Sequence, residues 1–165
     1  MRWLPLLIVL LSMPAIAAER GDRIEGQAVA LDGDTLMLDG HRIRLWGLDA
    51  PEMDVWPWGA WARGFLDDLL SGNKVSCKVV GRHRKREVAV CSLERIAEDA
   101  TDDPDVDLAH VLISYGHGVT YRRFTLKAEG WLAKRAKAYA EAEDFARSRK
   151  LGLWRNYLDL GDPMR

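Results

Sequence analysis

Two apolar runs, TLML (35–38) and RIRLW (42–46), stand on either side of Asp39-Gly40. An Asp-Gly pair between such runs commits the chain to a β-hairpin with a two-residue turn. That turn sets the register: Leu38 faces His41, Leu36 faces Ile43, Thr35 faces Arg44 and Asp34 faces Leu45. The loop leaving the second strand, GLDAPE (47–52), then emerges at the edge that carries Asp32 and Asp34. Hairpin geometry alone gathers Asp32, Asp34, Arg44, Asp49 and Glu52 into one small region. Pro51 holds Ala50 extended and so fixes where Glu52 points.

Clustered carboxylates repel one another and call for a compensating cation. Arg44 supplies one charge, and a bound Ca²⁺, which favours hard oxygen ligands, would supply more. The plainer reading of the same residues is a solvated, turn-rich surface, because Asp-Gly and Asp-Ala-Pro are common turn sequences and DGDT alone is a weak motif.

The rest of the chain shows no repeat and no low-complexity linker. RIEGQAVAL (23–31) alternates as a first strand. After Pro57, Trp58, Trp61, Phe65, Leu66 and Leu69 recur at helical spacing until Ser71-Gly72-Asn73 stops them. KVSCKVV (74–80) and EVAVCSL (87–93) read as a strand pair around the basic loop RHRKR (82–86). EDATDDPD (98–105) reads as an acidic loop, VDLAHVLISYG as a helix ended by Gly116 or Gly118, and residues 125–150 as one longer helix. On that helix Leu132, Ala136, Tyr139 and Ala140 share a face, and Leu151, Leu153 and Trp154 follow as a clamp onto the core. Strands first and helices mostly after argue for an α+β fold with a small antiparallel barrel or sheet.

A chain of 165 residues is expected to form one domain. Residues 1–17 are expected to stand outside it: Arg2, the apolar run Leu6–Leu11 and the small-x-small Ala15-Ile16-Ala17 have the layout of a cleaved signal peptide. The run is shorter than the roughly 20 residues that span a bilayer, so no stable membrane anchor is expected, a retained anchor being the alternative. Residues 18–165 then form the domain, exported to the periplasm or secreted, and expected as a monomer. Without Arg2 the 24 basic residues fall to 23 against 25 acidic ones. That balance excludes a protein that coats nucleic acid by bulk charge, and any polyanion must be met by a local patch. In an exported chain Cys77 and Cys91, on adjacent predicted strands, are expected to pair, with buried free thiols as the alternative. The four histidines fall in no zinc spacing with the cysteines.

With these residues in place, the chain resembles the staphylococcal nuclease (thermonuclease) family. LDGDT (31–35) is similar to its first metal motif, and RLWGLDAPE (44–52) to its R-L-x-x-x-D-x-P-E segment. GAWARGFLDDLL, REVAVC and KLGLW follow in the family's order. The resemblance implies an OB-fold, a five-stranded barrel flanked by three helices. It also implies Ca²⁺-dependent hydrolysis of DNA or RNA, with single strands as substrate. Asp34 and Asp49 would ligate the metal through carboxylates and Ala50 through its backbone carbonyl. Glu52 would be the general base, and Arg44 and Arg86 would hold the phosphate. The hard-ligand set leaves Mg²⁺ and Mn²⁺ open.

The pattern departs from the family at RHRKR, where a D-x-Y-G-R segment is usual. Arg86 keeps the right distance to VAVC and is preferred as second arginine. Arg84 is the alternative, and a solvated basic turn is the plain reading. Tyr121 is similar to a family tyrosine lining the nucleotide pocket, or is a core-edge tyrosine. Trp56, Trp58 and Trp61 read as a base-stacking platform, or, for Trp58 and Trp61 at helical spacing, as core. Three functions compete: an exported nuclease, a catalytically weak or retired binding module on the same scaffold, and an envelope protein held by an uncleaved N-terminus. The presence of Asp34, Arg44, Asp49, Glu52 and Arg86 together favours the enzyme.

Overall fold

The computed structural model describes residues 21–94 and 105–155. The leader expected at 1–17 lies outside them, as does the acidic loop up to residue 104. The strands are β1 Arg23–Gly26, β2 Ala28–Ala30, β3 Thr35–Leu38, β4 His41–Leu45, β5 Leu48–Asp49, β6 Val75–His83, β7 Arg86–Glu94, β8 Asp105–Asp107 and β9 Val119–Thr120. The helices are α1 Trp58–Leu70, α2 Leu108–Ser114, α3 Arg122–Thr125 and α4 Trp131–Ser148, followed by a 3-10 turn at Gly152–Arg155.

The hairpin forms in the expected register, with Thr35 opposite Arg44, Leu36 opposite Ile43 and Leu38 opposite His41. Leu36, Leu38, Ile43 and Leu45 are all fully buried. Burying each stabilises the fold by ~2 kcal/mol, and a slip of one residue would turn all four outward, so the core locks the register. β7 is the hub of the sheet: it pairs antiparallel with β6 and β8 and parallel with β4. The resulting path runs β1-β6-β7-β4-β3-β2.

The fold is α+β, but the five-stranded closed barrel with three helices is not what the described residues form. They hold nine strands, seven of them in one open sheet and two in a separate β5–β9 ladder, with four α-helices. The expected first strand is the reason the path stays open. It breaks at Gln27, so that β1 pairs with β6 while β2 pairs with β3. The two ends of the path are joined by the chain itself, with no ladder between them. The extra helix is α3, which ends at Thr125, where the longer helix is expected to begin, and that helix starts as α4 only after Gly130, at φ 58°.

α1, α2 and α4 complete the core with Ala62, Leu66 and Leu70, with Leu108, Leu112 and Ile113, and with Tyr139, Ala142 and Ala146. The orientation of α4 is set by Tyr139. Its ring packs 5.7 Å from that of Trp46, and its hydroxyl donates to Asp107 at 2.8 Å. Asp107 also caps α2 by accepting from the His110 N–H and pairs with Arg135. This places Ala142 and Glu143 inward and leaves Ala140, expected inward, exposed. Leu153 is buried as the clamp requires. Trp58 is core, whereas Trp61, beside it on the same face of the helix, is exposed.

Candidate functional site

The hairpin, the turn before it and the loop after it converge on a cleft of about 530 Å³ lined by Asp32, Asp34, Arg44, Glu52, Arg84 and Arg86, together with Gly33, Arg42, Ala50, Pro51 and Lys85. The turn at 31–35 is tightened by the N–H groups of Leu31 and Asp32 donating to the Thr35 carbonyl. Asp34 in turn donates its N–H to Asp32 Oδ1 at 3.0 Å. The Asp34 carbonyl accepts from the Leu45 N–H at 2.8 Å, which carries the hairpin pairing one step further and sets the Asp34 side chain beside Arg44.

Arg44 stands between two carboxylates. Its Nη1 lies 2.8 Å from Asp34 Oδ2 and its Nη2 2.8 Å from Asp49 Oδ1, with a weaker bond to the Leu48 carbonyl. Those contacts use three of the five N–H donors a guanidinium carries, and two remain. Asp49 reaches this position because β5 pairs with β9, Leu48 opposite Thr120 and Asp49 opposite Val119. β9 is itself held by α4: buried Glu143 accepts from the Thr120 N–H at 2.8 Å and pairs with Arg147. Tyr121, the next residue, presents its ring face to Arg44 with the guanidinium carbon 5.2 Å from the ring centre, and packs edge-on against Phe124.

Arg86 opens β7 and donates to Thr35 Oγ1 at 3.2 Å, and the Thr35 hydroxyl donates to Asp34 Oδ1 at 2.9 Å. Both arginines are thereby tied to Asp34, one directly and one through Thr35. Arg84 and Lys85 form the exposed tip of the β6–β7 turn, with Arg84 at φ 58°. Behind that tip an irregularity between Val79 and Gly81 shifts the ladder by one residue, the kind of bulge that re-aims a strand end. Cys77 and Cys91, directly opposite one another on β6 and β7, are joined by a disulfide. His83 titrates below its ordinary value, through partial burial and then the guanidinium groups of Arg84, Arg86, Arg44 and Arg123.

Glu52 is exposed at the mouth of the cleft, and its backbone rests on α1. Its carbonyl accepts from the Val55 N–H, and Val55 in turn accepts from the Gly59 N–H. A Cβ on Gly59 would lie 2.1 Å from the Glu52 carbonyl oxygen. A Cβ on Gly33 would lie 2.7 Å from the side chains of both Ala50 and Ala62. The turn before the hairpin and the loop after it are thus pressed against one helix face.

Burial raises the Asp34 carboxyl to about 7, with Arg44 opposing the shift and Asp32 adding to it. One guanidinium therefore does not offset the burial of this carboxylate. Among the described residues no three His, Cys, Asp or Glu side chains stand together as a metal-binding group. A cation here would have Asp34, Asp49 and main-chain oxygen from the protein, with water and substrate completing the shell. That is an all-oxygen set of the kind hard divalent ions accept.

The cleft thus joins Asp34, Arg44, Ala50, Glu52, Arg84 and Arg86, while Asp49 is outside its lining and is tied to it through Arg44, as Tyr121 is; the disulfide stands in the core. Sequence reasoning missed Thr35, Arg42, Lys85, Gly33, Gly59 and Glu143. Gly33 and Thr35 carried a signal as members of DGDT, and Lys85 as a member of the basic run RHRKR. A family model described as staphylococcal nuclease homologue matches residues 42–156, a span that includes Arg44, Asp49, Glu52 and Arg86 and begins after Asp34. No curated protein matches the chain.

Proposed function

This chain belongs to the staphylococcal nuclease family, and from that premise we propose that it is an exported, Ca²⁺-dependent nuclease that hydrolyses phosphodiester bonds of single-stranded DNA or RNA. The observation that carries the reading is the cleft itself. Paired carboxylates, an exposed carboxylate and cationic side chains converge on one space large enough for a phosphodiester. Asp34, Asp49 and the Ala50 carbonyl would hold a hard divalent cation, which when bound would supply Lewis-acid charge and a template for the phosphate.

Glu52 accepts a proton from water as that water's oxygen bonds to phosphorus, the bond from phosphorus to the leaving sugar oxygen breaks, and that oxygen takes a proton from solvent to leave as a hydroxyl. Negative charge then builds on the non-bridging phosphate oxygens. The two free donors of Arg44 and the fork of Arg86 face that charge already oriented, so little reorganisation is needed as it forms. Tyr121 braces the Arg44 guanidinium from behind. The Cys77–Cys91 disulfide supports export, because cytosolic thiols are kept reduced. No helix among the described residues is long and apolar enough to cross a membrane.

The test is digestion of single-stranded DNA and RNA by the purified chain, with Ca²⁺ and with chelator. Cleavage that requires Ca²⁺ supports the reading. Binding without cleavage in Ca²⁺, Mg²⁺ or Mn²⁺ makes the chain a binding module on a nuclease scaffold.

A further inference from the structure

The cleft and the chain that leaves it carry unlike side chains. Arg42, Arg44, Arg84, Lys85 and Arg86 line the cleft beside the carboxylates Asp32, Asp34 and Glu52, with Arg44 paired to Asp34 and Asp49. The lining ends at Glu52, and the chain runs on from there through Met53, Asp54 and Trp56 into the first turns of α1. It carries no lysine or arginine before Arg63. Met53, Trp56 and Trp61 on this segment are 41%, 77% and 52% exposed, which puts three of the molecule's large exposed apolar side chains within nine residues after Pro51-Glu52. Trp61 is held in place by the buried Trp58, whose ring meets it edge-on at 5.1 Å. Ala62, the next residue, packs against the Gly33 backbone, which itself lines the cleft.

From this asymmetry we propose that Trp56 and Trp61 form a nucleobase-stacking platform, a binding subsite that extends the cleft along a single strand. The inference rests on the nuclease reading of the cleft. A strand lying there sets its phosphates against the cationic side chains. Its bases then turn toward the segment after Pro51, where Glu52 and Asp54 repel phosphate and the indole faces accept any base. Stacking of this kind is tolerant of sequence, so the platform adds length preference without base readout. The exposed indoles of Trp56 and Trp61, four and nine residues along the chain from the cleft residue Glu52, have in a stacked base an occupant that buries them.

The test compares wild type with Trp56→Ala, Trp61→Ala and Trp56→Phe. Binding of 5′-labelled octathymidylate is followed by fluorescence anisotropy in Ca²⁺, and kcat/KM is measured for octathymidylate and for dithymidylate. Each alanine variant is expected to weaken octamer binding by about 5- to 100-fold per lost base contact. It is also expected to lower the ratio of octamer to dimer kcat/KM by a similar factor, with Trp56→Phe recovering part of both. Octamer binding unchanged in both alanine variants overturns the platform, as does an equal loss on the two substrates. A concentration-dependent dimer in sedimentation that Trp56→Ala abolishes, with octamer binding intact, assigns the face to self-association and also overturns it. If neither substrate is cleaved by wild type, the nuclease reading fails while the anisotropy result still decides the platform.

Discussion

Gly59→Ala and Gly64→Ala place the same methyl group on the same helix with opposite consequences. At Gly64 the added Cβ has nothing within 4 Å. Alanine there gains helix propensity, so the variant should be more stable by about 0.5–1 kcal/mol. At Gly59 the methyl would lie 2.1 Å from the Glu52 carbonyl oxygen and 2.8 Å from the Met53 Cα, both backbone. Ordinary contact needs a separation of at least 3.4 Å, so either α1 or the Glu52 loop must retreat by about 1 Å. Overpacking of this kind costs about 1–3 kcal/mol of stability. A catalytic group displaced by an ångström costs about 10²-fold in rate. The expected result is a Gly59→Ala protein that is folded and somewhat less stable, with kcat down by about 10²-fold and KM for single-stranded DNA changed far less. Urea denaturation and steady-state kinetics on the two variants side by side measure both effects. A Gly59→Ala enzyme as fast as Gly64→Ala would refute the claim that α1 seats the general base.

Three further outcomes follow from the same geometry. Arg86→Lys keeps the charge but loses the planar fork that engages Thr35, and should lower kcat/KM by about 10- to 100-fold; Arg84→Lys, at the exposed turn tip, should change it less than threefold (~0.6 kcal/mol), and the reverse order would transfer the second phosphate-binding role to Arg84. Reduction of Cys77–Cys91, which closes a loop of sequence separation 14, should lower stability by about 3 kcal/mol in denaturant titrations; no change would mean the β6–β7 ladder is restrained fully by its other pairings. His117 is stacked on Phe65 at 4.2 Å, and burial lowers its pKa from 6.5. The unfolded chain therefore binds the proton more readily, and stability should fall as pH drops below about 6.5; in His117→Gln this part of the slope should disappear, and a slope that persists would assign the acid sensitivity elsewhere.

The hairpin and the site it builds were legible because one turn fixes them. Asp39-Gly40 sets the register of β3 against β4, and that register alone brings Asp34, Arg44 and the loop to Glu52 together. The β6–β7 pair was legible for a similar reason, since two apolar runs flank one short polar loop. The open sheet was not. RIEGQAVAL reads as one strand, and only the competing demands of β6 and β3 divide it at Gln27. The start of α4 was not legible to within a turn, because the chain from Leu126 to Gly130 stays out of the helix and the positive φ of Gly130 precedes Trp131. The supports of the site were illegible for a different reason. Gly33, Gly59 and Glu143 act through contacts with residues distant in sequence, and a glycine or glutamate on a helix carries no mark of what it will touch. Thr35 joins Arg86 to Asp34 only once β7 lies near the hairpin.

In the proposed reaction Glu52 takes the proton from the attacking water. Glu52→Gln keeps the size and the loop, removes the base, and leaves Asp34, Asp49 and both arginines in place. The measurement is single-turnover cleavage of single-stranded DNA in saturating Ca²⁺, beside a calorimetric titration of Ca²⁺ into the same protein. The account predicts a rate lower by about 10²- to 10⁴-fold, with Ca²⁺ binding within about twofold of wild type (~0.4 kcal/mol). A variant that cleaves as fast as wild type would contradict it.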